Sequence, residues 1–274
     1  MIQRQIAELS DPDKNIRIRA ALDLGAAQER SALPELVARL AQEPDFFVRE
    51  HLTWAVVRMG PDAAPLLTKL LGHPNAAARL QAVHALSKMS DPTVVAALSQ
   101  AVHDPDSEVA RKAIFALGQS QQVTDLAPLM AALGHTDAEH RSTVSTALAN
   151  FGHEALAPLM EVLRAPQAER RAHAAEVLGL LGEPAAVPAL GKALSDEVWE
   201  VQFAALSALG QLPGDAAEQA IQQMVQTDDL KLYAVAQRLL DRRPPSPTPL
   251  QEKLRQRRER AHQLEAQGTG RGAT

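Results

Sequence analysis

The feature that most limits what this chain can become is a period. The stretch "DPDSEVARKAIFALG" at 104–118 recurs, with substitutions, at 11–25, 43–57, 73–87, 135–149 and 165–179. Looser copies lie at 195–210 and 227–240. One position of the copy falls at Gly25, Val57, Ser87, Gly118, Ala149, Gly179, Gly210 and Leu239, at intervals of 29 to 32 residues. A second periodic element lies between the copies, as in "LPELVARL" (33–40), "APLMAAL" (127–133) and "VPALGKAL" (187–194), and "IQRQIAEL" (2–9) supplies its first example. Repetition at such a period means stacked units, none of which can bury its apolar face alone.

Each unit reads as a short helix A, a tight turn and a helix B. Pro34, Pro65, Pro128, Pro158 and Pro188 open A segments, where a missing N–H has no helical partner to lose. Asp13, Asp45, Asn75, Asp106 and Asp137 stand one residue before B segments, as side-chain caps do. Counting Val109 as position 1, small or aliphatic residues return at positions 1, 5, 8, 9 and 12 of helix B, one helical stripe. Alanine at positions 5 and 8 allows neighbouring helices to approach closely. Only 3% of the residues are aromatic, which favours packed helices over strands. The expected fold is therefore an all-α, right-handed α-solenoid of about eight two-helix units over residues 1–243. Residues 244–274 are expected to form a Pro-rich linker and a mobile basic tail.

Several function classes drop out early. There is no cysteine, which removes disulfides, thiolate metal sites and cysteine nucleophiles. The N-terminus does not read as a signal peptide, and no apolar run is long enough to span a bilayer, so a cytoplasmic location is expected. Residues 244–274 hold six basic and three acidic residues, leaving 22 basic against 30 acidic in 1–243, a net of −8. A body that acidic does not suit a broad nucleic-acid footprint. The tail differs, and Arg255, Arg257, Arg258 and Arg260 offer nucleic acid a possible contact.

The runs Ile16-Arg17…Leu24-Gly25, Val48-Arg49…Val56-Val57 and Arg170-Arg171…Leu178-Gly179 resemble the "V-R-x-x-A-x-x-A-L-G" signature of short HEAT repeats, the subtype named after phycobilin lyases. The resemblance spans residues 1–243 and implies an adaptor or scaffold, with a few enzymes in the wider family. It also implies a ladder in which the arginine after the first apolar residue bonds acidic turns of adjacent units. The matching positions are Arg17, Arg49, Arg79, Arg141 and Arg171, with Lys231 a partial match and Ala110 and Gln202 departures. Deoxyhypusine hydroxylases of similar build hold iron through several His-Glu pairs. Here His153-Glu154 is the one pair in that order, so that site is not expected.

Candidate function comes from what the repeat does not dictate. Positions 4, 7 and 11 of helix B leave the core stripe, and in such solenoids the B helices line the inner curve. They carry His51, Trp54 and Arg58, then Gln81, His84 and Lys88, then Lys112, Phe115 and Gln119. The same face continues as Thr143, Thr146 and Asn150, and then His173, Glu176 and Leu180. Aromatics flanked by cations have the composition of protein-binding hot spots. The expected partner-binding set is His51, Trp54, Arg58, His84, Lys88, Arg111, Lys112 and Phe115. No catalytic residue, metal or cofactor is assigned, and a non-enzymatic scaffold binding a protein partner is the leading expectation. A chromophore-handling protein of the phycobilin-lyase kind is the alternative that the resemblance implies.

Overall fold

The computed structural model describes residues 1–120 and 122–242, so the tail, with Arg255, Arg257, Arg258 and Arg260, lies outside the described residues. The described residues form sixteen α-helices and no strand, an all-α HEAT-like solenoid. Helices alternate by role. The A helices are α1 (Ile2–Glu8), α3 (Leu33–Leu40), α5 (Ala64–Leu70), α7 (Thr93–Ala101), α9 (Ala127–Ala131), α11 (His153–Val162), α13 (Val187–Ala193) and α15 (Asp215–Gln223). The B helices are α2 (Lys14–Ala27), α4 (Phe46–Arg58), α6 (Ala76–Leu86), α8 (Ser107–Gln119), α10 (Ala138–Ala149), α12 (Ala168–Leu181), α14 (Trp199–Gln211) and α16 (Leu230–Asp241). No helix is long and apolar enough to cross a membrane.

Local chemistry explains where these helices start. The carboxylates or amide of Asp13, Asp45, Asn75, Asp106, Asp137 and Asp229 each accept from one or two N–H groups of the turn that follows. Such a cap contributes about 1 kcal/mol. Gln167 and Val198 stand at the same point of α12 and α14 without a side-chain cap. Proline opens α3, α5, α9 and α13 as its chemistry prefers. Pro158 departs from the expectation: α11 starts a turn earlier, at His153, and carries this proline inside. The pair His153-Glu154 is thereby helical rather than part of a link.

The apolar stripe is the core. Val109, Ala113, Ala116 and Leu117 are buried, as are Leu52, Ala55, Val56 and Met59. The spacing of B helices varies along the stack, and two residues control it. A methyl group built on Gly25, Gly118 or Gly179 would stand 2.8, 2.6 or 2.9 Å from the Cα of Ala55, Ala147 or Ala208 in the next B helix. Glycine facing alanine joins α2 to α4, α8 to α10, and α12 to α14, the three most extensively packed B pairs. Val57, Ser87 and Ala149 stand at that position in α4, α6 and α10, whose contacts with the next B helix are less extensive. Gly210 meets the side chain of Leu239, so α14 and α16 gain little from it.

The arginine ladder exists but is interrupted, with straps after units one, three and six. Arg17 grips Glu43 through two bonds of 2.9 Å, Arg79 grips Asp104 through two of 2.7 Å, and Arg171 grips Asp196 at 2.8 and 2.7 Å. Each arginine also donates Nη1 to two carbonyls of its own turn, so one guanidinium joins two units. Glu43 is buried, which alone would raise its pKa. Bonds from Arg17, the Asp45 N–H and Arg39 outweigh burial and hold it below the usual range. Arg49 bonds its own turn only, because His73 occupies the place where an acid is needed. Arg141 faces Ala165 there and pairs with Glu176 instead. Lys231 takes no part: its ammonium lies over the Trp199 ring, and Tyr233 holds the ladder position.

Candidate functional site

A groove of about 570 Å³ opens on the B-helix face where the glycine contacts are missing, between α4, α6 and α8. Its floor is low for a local reason. Helix α6 begins with three alanines, Ala76 to Ala78, whereas α4 begins with Phe46 and Phe47. Leu80, Gln81 and His84 of α6 form the floor, Phe46, Arg49 and Glu50 one wall, and Arg111, Lys112 and Phe115 the other. Both wall aromatics face solvent, Phe46 at 58% and Phe115 at 50% exposure.

Cations sit on these rings. The Lys112 ammonium lies 5.8 Å from the Phe115 centroid and the Arg49 guanidinium 6.0 Å from that of Phe46. Such contacts hold an exposed aromatic in a defined orientation. Among the described residues, Arg49, Arg58, Lys88 and Lys112 have no carboxylate within ion-pair distance. Arg111 does, pairing with Glu139 across to α10. His84 Nε2 stands 3.2 Å from Glu50 Oε1 but in a geometry too bent for a hydrogen bond. Burial lowers the His84 pKa, Lys112 and Lys88 add to that, and Glu50 opposes it, so the imidazole is neutral at pH 7.

Half of the sequence-derived set meets in this groove: His84, Arg111, Lys112 and Phe115. The other half lies beyond its lining. Trp54 lies against Gly25 toward α2 and carries Arg58 over its ring at 5.5 Å. His51 is tied to its own helix, with Nδ1 2.7 Å from the Phe47 carbonyl oxygen, and Lys88 is exposed past the groove's end. Helical periodicity alone missed Phe46, Arg49, Glu50, Leu80 and Glu108. A signal existed for the first: α4 opens with two aromatics in a row, which no other B helix does.

His173 is a correction to the expected ridge. It is fully buried, accepting the Gly134 N–H at Nδ1 (3.1 Å), so its proton is on Nε2 and faces Ser145 Oγ at 2.9 Å. Burial first, and then Arg141, push its pKa down to about 4. No group of three or more His, Asp or Glu side chains among the described residues is placed to hold a metal ion.

The chain matches the family model for HEAT repeats over residues 2–64, 60–118, 95–171 and 156–240. No curated protein matches it. Solved structures that resemble it include human deoxyhypusine hydroxylase in complex with glycerol, 24% identical over 88% of this chain and 94% of that one, with a TM-score of 0.37. YibA of E. coli is 16% identical over 88% and 92%, with a TM-score of 0.43. The complex of CpcE and CpcF of phycocyanin lyase from Nostoc sp. PCC7120 is 22% identical over 88% and 94%, with a TM-score of 0.37.

Proposed function

The chain belongs to the HEAT-repeat family, and from that premise we propose that it is a non-enzymatic scaffold gripping a segment of a protein partner in the α4–α6–α8 groove. The observation that carries this reading is the pair of solvent-facing rings, Phe46 and Phe115, on opposite walls above an apolar floor residue, Leu80. Two aromatic walls can clamp one apolar anchor, and truncating such a clamp costs binding about 2 kcal/mol or more. The charge around it defines the rest of the partner. Around it the lining carries the unpaired cations Arg49 and Lys112 beside the carboxylates Glu50 and Glu108, so a partner with both charge signs flanking its apolar anchor complements the groove.

The test substitutes Phe46→Ala and Phe115→Ala together and compares the variant with the parent chain in pull-downs read by mass spectrometry. Both rings are exposed, so the thermal midpoint should stay in place while capture of the partner is lost. Undiminished capture by the double variant, with folding intact, overturns the groove as the binding site. A bilin-induced absorbance change with the purified chain would instead move the reading to the chromophore-handling alternative.

A further inference from the structure

Four ladder arginines share a geometry that the turns of units four and five lack. Arg17, Arg49, Arg79 and Arg171 each donate Nη1 to the first two carbonyls of their own turn, at 2.7 to 3.2 Å. In unit four the ladder residue is Ala110, and the corresponding carbonyls belong to Asp104 and Pro105. No hydrogen bond among the described residues reaches either of them. Unit five repeats the situation by another route. Arg141 has turned away to Glu176, which leaves the carbonyls of His135 and Thr136 without a guanidinium.

These two bare turns border one cavity of about 590 Å³, and Ala110 and Glu169 also line it. Its charged groups divide simply. The Asp104 carboxylate is taken by Arg79, and Arg170 rests one nitrogen on the Met130 carbonyl at 3.1 Å. Neither Glu169 nor Arg170 has an ion-pair partner among the described residues, and the buried Arg170 Nε has no acceptor, so the lining offers one free charge of each sign.

We propose that this cavity binds a guanidinium group, either of a free guanidino compound or of an arginine side chain, in the place that Ala110 leaves open. The four filled sites demonstrate the recognition. Arg49 is the closest parallel, since it is held by two turn carbonyls although His73 denies it a carboxylate. A planar guanidinium offers several N–H donors at fixed angles and suits paired carbonyls, whereas an ammonium is a compact point charge. Glu169 adds the charge-assisted contact that distinguishes a cation from a neutral amide.

The experiment titrates the full chain with methylguanidinium and, separately, with methylammonium, following backbone amide shifts. Methylguanidinium should move resonances at 104–110 and 134–137, and methylammonium should leave them in place. Ala110→Arg supplies the repeat's own residue and should abolish binding. Glu169→Gln, at an exposed position, should weaken it about tenfold with the fold undisturbed. Absence of shifts at these turns, equal binding of methylammonium, or unchanged binding by both variants overturns the proposal. A chain carrying Arg255, Arg257, Arg258 and Arg260→Gln separates the sources. Tighter methylguanidinium binding by that chain identifies its own tail as the resident guanidinium, and unchanged binding identifies an external one.

Discussion

The joint between units one and two and the joint between units two and three are built from the same repeat and behave differently. At the first, Gly25 lets α2 press against Ala55, and Arg17 reaches a buried acid in the next turn. At the second, Val57 stands where glycine would be and His73 where the acid would be, so Arg49 binds only its own turn. The groove opens at that second joint and runs on across the third, where Arg79 straps Asp104 but Ser87 replaces the glycine. Two contacts that tie neighbouring units together are both absent exactly one unit after both are present, which leaves α4 and α6 apart and their side chains free for a partner. Access thus follows the missing glycine contact, which is absent at both joints the groove spans, and the strap is lost at one of them.

The largest way to break this contrast is to cut the strap. Arg17→Ala leaves Glu43 buried with Arg39 as its one cation, and losing two charge-assisted bonds at a buried acid costs about 3 kcal/mol. Arg49→Ala, which removes bonds to carbonyls that water can replace, should cost about 1 kcal/mol. Urea unfolding of the two variants measures the difference, and equal losses would remove the distinction between strapped and open joints. The second contact is tested at Gly118, where the joint to unit five has glycine packing but no strap. Gly118→Val drives a side chain into the backbone of Ala147, for which about 2–3 kcal/mol is expected. Calorimetry should show a lower midpoint, and hydrogen exchange should rise first in α8 and α10.

Much of this was legible from residues alone, because a repeat states each rule eight times. The caps at Asp13, Asp45, Asn75, Asp106 and Asp137 and the stripe through Val109, Ala113 and Leu117 follow from helix chemistry within one unit. What escaped depends on two units at once. Whether glycine draws helices together depends on the residue it meets, alanine at 55, 147 and 208 but leucine at 239. Whether an arginine straps a joint depends on the acid 25 or 26 residues later, present for Arg17, Arg79 and Arg171. Trp54 and Phe115 occupy the same helical position, yet one leans on its neighbour's glycine and the other walls the groove. His173 escaped for the same reason, since its partners, Gly134 and Ser145, come from unit five.

Acid separates the two kinds of joint by pH. His173 has a folded pKa of about 4, against about 6.5 for an unperturbed histidine. A depressed histidine stabilises the neutral fold, and that contribution is complete above the unfolded pKa. It declines as pH falls below about 6.5, reaching a loss of about 2 kcal/mol by pH 5 and levelling off below the folded value. Protonation at Nδ1 also removes the acceptor of the Gly134 N–H, so the loss falls on units five and six. Burial likewise lowers His140 in the same region, with His135 adding to it, and reinforces the direction. The straps are lost in the same direction but in a lower window. Glu43, Asp104 and Asp196 are held below the ordinary carboxylate range, so their contribution persists until pH drops under about 4. Amide exchange at pH 7 and pH 5 should therefore show α10 and α12 loosening while α2 and α4 remain protected. His173→Gln should flatten that response, and a uniform loss of protection along the stack would show that the joints do not differ in what holds them.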